Sequence, residues 1–265
     1  MSRELSEKTS IPILETRDLV KRFGGLVAVN RVNMKILRNK ITLLIGPNGA
    51  GKTTFVNLCT GVLKADEGRI IYRPDPDGSS IDITDLEPHK RYKMGIVRTF
   101  QIPQPFLSLT VLDNVLVAMN NPGENPLIAP IKNLWRKSEE ENISKALNIL
   151  RMVGLEKNWD QTAKALGAGQ LKMLEVARAL ATGANLIILD EPIGGTDPAY
   201  AHEIFKQIRK IRENSSVSFL VIEHRIDIAL PFADYVYVMD RGRVIAEGDP
   251  QSIVNNPQVI EVYIG

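Results

Sequence analysis

Apolar residues along this chain fall into short unbroken runs that halt at a glycine or an acidic residue. Ile41-Thr-Leu-Leu-Ile45 halts at Gly46, Leu186-Ile-Ile-Leu189 at Asp190-Glu191, and Phe219-Leu-Val-Ile222 at Glu223-His224. Runs of this length without alternation fit strands buried on both faces of a parallel sheet. Ahead of them, residues 11–14 read as a strand and 27–36 roughly alternate. Residues 68–85 read as a short antiparallel excursion with a polar turn at Pro74-Asp-Pro-Asp-Gly78. A strand–turn–strand pattern over 235–239 and 244–246 surrounds Arg241-Gly242.

Helical spacing takes over elsewhere. Glycines at 46, 49 and 51 interrupt the first buried run, and a helical segment is predicted from Lys52 to about Leu63. Residues 111–119, 138–153 and 171–182 also have helical spacing, and the loop from Asn120 to Pro130 is rich in Pro, Asn and Gly. The middle of the chain therefore reads as a helical insert carried by an α/β core. No internal repeat is visible.

Composition narrows the classes. With 265 residues, 44% of them hydrophobic, the chain can bury a sizeable core. Lys and Arg number 33 against 31 Asp and Glu, and the densest basic stretch, His89-Lys-Arg-Tyr-Lys93, is short. A nucleic-acid partner is not expected, because it needs basic charge clustered on one face. The single cysteine, Cys59, excludes an internal disulfide and sits in an apolar helical stretch, as a structural thiol would. The first eight residues carry charges of both signs without an apolar core, which argues against a signal peptide. No run approaches 18 apolar residues, so the chain reads as soluble, held at a membrane only if a partner holds it there.

The chemistry sits where the buried runs stop. Gly46-Pro47-Asn48-Gly49-Ala50-Gly51-Lys52-Thr53 satisfies the phosphate-loop pattern G-x-x-x-x-G-K-[ST], and Thr54 follows it. The glycines let backbone N–H groups approach phosphate oxygens, the next helix adds its positive end, Lys52 neutralises phosphate charge and Thr53 can ligate Mg²⁺. The loop follows a buried strand and opens a helix, the context that separates it from an ordinary glycine-rich turn. Asp190 at the end of a second buried strand suits a Mg²⁺ site, and Glu191 beside it can polarise an attacking water. Gln101 closes Ile96-Val-Arg-Thr-Phe-Gln101 and could reach the metal or that water. His224 ends a third buried run, where a neutral imidazole can donate toward the γ-phosphate. Phe23, in Val20-Lys-Arg-Phe-Gly-Gly25, could stack on an adenine ring. ATP with Mg²⁺ is the expected ligand.

In this order the motifs resemble the ATPase subunits of ATP-binding-cassette transporters over essentially the whole chain. The order is aromatic loop at Phe23, phosphate loop, Gln101, helical insert, signature, Asp190-Glu191, Asp197 in Gly194-Gly-Thr-Asp-Pro198, and His224. Within that family, Lys21-Arg-Phe-Gly-Gly, Gly95-Ile-Val-Arg-Thr-Phe-Gln, Ile222-Glu-His-Arg and Val262-Tyr-Ile-Gly265 are most similar to branched-chain amino acid importer ATPases. The resemblance implies a single ATPase domain over 1–265, with a P-loop NTPase (RecA-like) α/β core and an antiparallel β subdomain over about 10–101 and 171–265. Residues of about 102–170 would form the inserted helical subdomain.

It also implies a peripheral protein on the cytoplasmic face of the cell membrane, coupled to integral permease subunits and indirectly to a solute-binding protein. Such subunits pair head to tail, either with themselves or with a related chain. Each ATP is then held between one phosphate loop and the partner's signature, and Asp197 crosses the dimer interface. Residues 103–106 are expected near the membrane contact. The signature departs from the family's Leu-Ser-Gly-Gly-Gln, reading Leu166-Gly167-Ala168-Gly169-Gln170. The serine hydroxyl is missing and Ala168 adds a Cβ, so slowed hydrolysis is expected in a homodimer. Alternatives are another cargo (urea or lipopolysaccharide extraction) or a mainly ATP-binding cassette. A soluble switch acting on DNA or ribosomes fits less well, since the chain has neither a second cassette nor a long coiled-coil insertion.

Overall fold

The computed structural model describes residues 11–124 and 130–264. The expectations for the first eight residues, for 125–129 of the Pro/Asn-rich loop and for Gly265 lie outside the described residues. Chain contacts divide the molecule into two compact units, one of Met1–Gln101, Asn185–Gly194 and Arg212–Gly265, the other of Ile102–Ala184 and Gly195–Ile211.

Two sheets build the first unit. Strands β1 (Pro12–Phe23), β2 (Leu26–Leu37), β4 (Glu67–Tyr72) and β5 (Ile81–Asp82) form an antiparallel sheet in the order β2-β1-β4-β5. Strands β3 (Ile41–Ile45), β6 (Ile96–Arg98), β7 (Leu186–Asp190), β8 (Ser218–Ile222), β9 (Tyr235–Asp240) and β10 (Arg243–Gly248) form a second sheet in the order β10-β9-β3-β8-β7-β6. Every pair from β9 across to β6 is parallel, and only β10 is antiparallel, added by a hairpin from β9. All five residues of β3, β7 and β8 are buried, as unbroken apolar runs require.

Strand β1 runs nine residues past the expected end at 14. A bulge hides it from the sequence pattern: Asp18 has φ +45, the register shifts between Thr16 and Leu19, and Leu19 and Val20 are consecutive buried residues. Gly68 makes that bulge possible, since a Cβ there would meet the Asp18 carbonyl oxygen at 2.4 Å.

Helix α1 (Lys52–Cys59) follows β3 and stops short of Leu63. It ends before Gly61, which has φ +78, and Arg91 on α2 (Pro88–Lys93) covers that end. Its guanidinium donates to the carbonyls of Leu58 (2.6 Å), Cys59 (2.9 Å), Thr84 (2.8 Å) and Leu86 (2.8 Å), covering the carbonyl end of α1 with charge. The basic stretch at 89–93 thus contains a buried structural cation. Cys59 is wholly buried, and burial pushes its thiol up to about 12. Phe55, Cys59, Tyr72, Leu186 and Met239 share one core.

In the second unit, α3 (Val111–Leu116), α4 (Lys132–Met152) and α5 (Ala168–Ala181) pack on one another. Thr110 caps α3, accepting from the Asp113 N–H at 3.0 Å. Helix α4 begins six residues before the expected 138. Buried Asn114 fixes the preceding loop, accepting from the Phe106 N–H (2.8 Å) and donating to the Phe106 and Thr110 carbonyls. The loop leaves Ile102, Phe106 and Leu107 exposed, and the Arg178 guanidinium covers the Phe106 ring at 5.3 Å. The insert implied by the resemblance covers about 102–170, and this compact unit comprises 102–184 and 195–211. Helix α6 (Pro198–Asn214) belongs to it as far as Ile211. Three short helices, α7 (Ile226–Ala229), α8 (Pro250–Val254) and α9 (Pro257–Ile264), complete the first unit. No helix among the described residues is long and apolar enough to cross a membrane.

Candidate active site

The phosphate loop is held open by close backbone packing beneath it. Gly51 has φ +99 and caps α1, and a Cβ there would meet the Ala28 carbonyl oxygen at 2.2 Å. A Cβ on Gly46 would meet the Met239 carbonyl oxygen at 2.1 Å. The turn between β9 and β10 braces the loop, with the Gly242 N–H donating to the Ala50 carbonyl at 2.9 Å. Lys52 is buried and donates to the carbonyls of Gly46 (2.6 Å) and Pro47 (2.9 Å). Burial lowers the pKa of its ammonium, while Glu191 and Asp190 act to raise it.

A cleft of about 460 Å³ lies over this loop, lined by Phe23, residues 48–54, Glu191 and Arg241. Phe23 is exposed at the end of β1, with the Lys21 ammonium 5.7 Å from its ring centre. Thr53 is exposed and Thr54 half-buried at the mouth. Gly46 and Pro47 lie outside the lining.

Asp190 is buried beneath the cleft. Its Oδ2 accepts from Arg98 at 2.6 Å, and the same guanidinium donates to Asn57 Oδ1 on α1 at 2.5 Å. Arg98 thereby ties the end of β6 to the helix of the phosphate loop and to the end of β7. The sequence reading missed it, although a charged residue closing an otherwise apolar strand was a signal.

Glu191 occupies a strained position. It has φ +50 and precedes Pro192, a conformation costing about 1–3 kcal/mol for a non-glycine residue. The Gly194 N–H donates to the Glu191 carbonyl at 3.0 Å, closing a turn that lifts the carboxylate off the strand. Gln101 Nε2 donates to Glu191 Oε2 at 2.7 Å, and His224 Nδ1 lies 3.6 Å from Glu191 Oε1. Two side chains distant in sequence thus meet at one carboxylate.

Among the described residues, no three His, Cys, Asp or Glu side chains converge into a metal cage. Mg²⁺ is usually held instead by one or two carboxylates together with substrate phosphates. The exposed Thr53 hydroxyl, the Asp190 carboxylate and the oxygen of the Gln101 amide suit that mode.

The signature residues gather in the second unit. Gly167, Ala168, Gly169 and Gln170 line a cleft of about 240 Å³ with Asp197 and Tyr200. Gln170 Oε1 accepts from the Gly167 N–H at 3.0 Å, half of a capping box at the start of α5. The other half needs a hydroxyl at 167, and a Cβ there would meet only Gln170 Oε1, at 3.8 Å. Gly169 has no such room, because its Cβ would lie 1.9 Å from the Tyr200 ring. Asp197 Oδ1 accepts from the Tyr200 N–H at 3.0 Å and holds that ring's backbone.

A phosphate loop between a buried parallel strand and a helix, in a sheet of this order, defines a P-loop NTPase. The family described as ABC transporter matches residues 29–194, and the one described as branched-chain amino acid ATP-binding cassette transporter matches 243–265. A probable branched-chain amino acid transport ATP-binding protein LivG of Archaeoglobus fulgidus is 47% identical, over 96% of this chain and 95% of that protein. The ADP conformation of MJ1267, an ATP-binding cassette of an ABC transporter, superposes with a TM-score of 0.81 at 42% identity, covering 97% of this chain and 100% of that one. The dimeric structure of MJ0796, a bacterial ABC transporter cassette, gives 0.69 at 27% identity, covering 89% and 98%. The chain belongs to the ABC transporter family, as one of its ATP-binding, ATP-hydrolysing cassettes.

The Tyr200 contact is open to test. Gly169→Ala should destabilise the chain by about 1–3 kcal/mol in urea unfolding through overpacking. Most of that loss should vanish when Tyr200→Ala is the starting background. Equal losses in both backgrounds would contradict the contact.

Proposed function

We propose that this cassette energises an importer of branched-chain amino acids from the cytoplasmic face of the cell membrane. Its partners are a second cassette, integral permease subunits and, through them, a solute-binding protein. The observation that carries the ATPase chemistry is the meeting of Gln101 and His224 at Glu191, on the wall of the phosphate-loop cleft. The cargo rests on likeness to proteins named as branched-chain amino acid transport ATP-binding proteins, and on the match at 243–265.

In this reading the whole chain acts as one ATPase domain with a helical insert. Phe23 stacks on the adenine. The N–H groups of residues 46–54 and the Lys52 ammonium bind the phosphates. Thr53, Asp190 and Gln101 hold Mg²⁺, which when bound neutralises charge on the β- and γ-phosphate oxygens. Glu191 orients a water for in-line attack on the γ-phosphorus and takes its proton, while the bond to the ADP oxygen breaks. His224 donates toward the γ-phosphate and steadies Glu191. The strained φ of Glu191 keeps its carboxylate aimed at the cleft rather than along the strand.

Gly167, Ala168, Gly169, Gln170 and Asp197 act in trans on the ATP of the second cassette. Hydrogen bonds to charged groups contribute about 1.5–3 kcal/mol each, so the missing hydroxyl at 167 slows turnover by roughly ten- to a hundredfold. The exposed positions 167 and 168 have space to accept the change back.

Proteoliposomes containing the cassette, its permease subunits and the solute-binding protein should take up leucine, isoleucine or valine when ATP and Mg²⁺ are enclosed. Glu191→Gln should abolish both uptake and hydrolysis. ATP hydrolysis without uptake of any of the three would overturn the cargo, and full activity of Glu191→Gln would overturn the site. Gly167→Ser with Ala168→Gly should raise hydrolysis by the self-paired chain; an unchanged rate would remove the signature argument.

A further inference from the structure

The residue beside His224 is a wholly buried carboxylate. Glu223 follows β8, and its own N–H donates to the Leu44 carbonyl of the neighbouring strand at 3.3 Å. Among the described residues its side chain is in no ion pair with Lys or Arg. Instead Oε1 accepts from the Ile193 N–H at 3.1 Å, and Oε2 accepts from the His224 N–H at 3.3 Å. Burial pushes the carboxyl upward, opposed by the N–H groups of Ile193, His224 and Arg225.

Those N–H groups belong to two segments that leave the sheet separately. One is the turn 191–194 after β7, which carries the strained Glu191. The other is the segment after β8, which carries His224. A group with two acceptor oxygens pointing apart can satisfy both, and among uncharged side chains of this size none can. Glutamine offers one acceptor and an NH₂ donor, which would face an N–H and lose one of the links. Aspartate keeps both oxygens but is one methylene shorter.

We infer that Glu223 is a positioning residue that latches the Glu191 turn to the His224 segment, so that the two catalytic side chains are held in register for water attack. The inference rests on the proposed roles of Glu191 and His224. A buried group of this kind has no reason to touch ATP, since it lies behind both side chains and lines none of the cleft. Its loss should therefore slow the chemical step and leave nucleotide binding alone.

The test is Glu223→Gln in the otherwise unaltered cassette, measured as kcat, KM and ATP affinity beside Glu191→Gln and His224→Ala. Expected is a fall in kcat of about ten- to a hundredfold, as misplaced catalytic groups give, with KM for ATP within about twofold. Combined with His224→Ala, the same change should lower kcat by less than the product of the separate losses, because both act through His224. An unaltered kcat, a rise in KM that accounts for the loss, or full multiplication of the two losses would overturn the latch. Should Glu223→Gln fail to fold, Glu223→Asp is judged by the same measures, and failure of both to fold would make Glu223 a determinant of the fold instead. If Glu191→Gln is inactive and Glu223→Gln is normal, the latch alone falls. If Glu191→Gln is fully active, the proposed site roles fall whatever Glu223→Gln does.

Discussion

Parallel neighbours in a sheet all end on the same side, and the candidate active site depends on that constraint. Strands β3, β7 and β8 run side by side in the parallel sheet, and β6 joins them at its edge. Their carboxyl ends deliver the phosphate loop, Asp190-Glu191, Glu223-His224 and the segment to Gln101 to one rim. Ligands of open α/β sheets bind at such rims. The unbroken apolar runs are what permit the arrangement, because only strands apolar on both faces can be covered on both.

The rim brings a second problem, since each chain segment leaving a buried strand carries backbone groups that must find partners. Charged side chains partner backbone groups at two places, Arg91 and Glu223, and at a third Arg98 joins two side chains. Arg91 covers the last carbonyls of α1, Arg98 ties Asp190 to Asn57, and Glu223 takes the N–H groups of two departing segments. A buried charge is tolerated when hydrogen bonds surround it. Each of these also restrains something near the nucleotide: the helix behind the loop, the acid at the strand end, and the strained turn of Glu191.

Much of this was legible in the residues. The runs at 41–45, 186–189 and 219–222 marked the three central strands, and the glycine spacing at 46–51 marked the loop between strand and helix. Phe23, Glu191, Gln101 and His224 stood out because each follows or ends a strand. Other features were hidden because they rest on contacts far apart in sequence. The bulge at Asp18 broke the alternation of β1, and the roles of Arg91 and Arg98 depend on partners at 58, 59, 57 and 190. The strain at Glu191 and the Tyr200 ring over Gly169 depend on backbone geometry that no periodicity reports. The early start of α4 falls directly after the loop rich in Pro, Asn and Gly, whose turn residues hide where the helical spacing begins.

The phosphate loop and the signature each line a cleft of their own, and in the proposed mechanism neither acts on ATP alone. That makes nucleotide-driven pairing the central claim. It is tested most directly by sedimentation of the Glu191→Gln chain, which retains bound ATP under the account, with ATP and with ADP in turn. The account predicts dimers in ATP and monomers in ADP, with Asp197 and the signature residues buried in the dimer. A chain that stays monomeric in saturating ATP, while still binding it, would contradict the account.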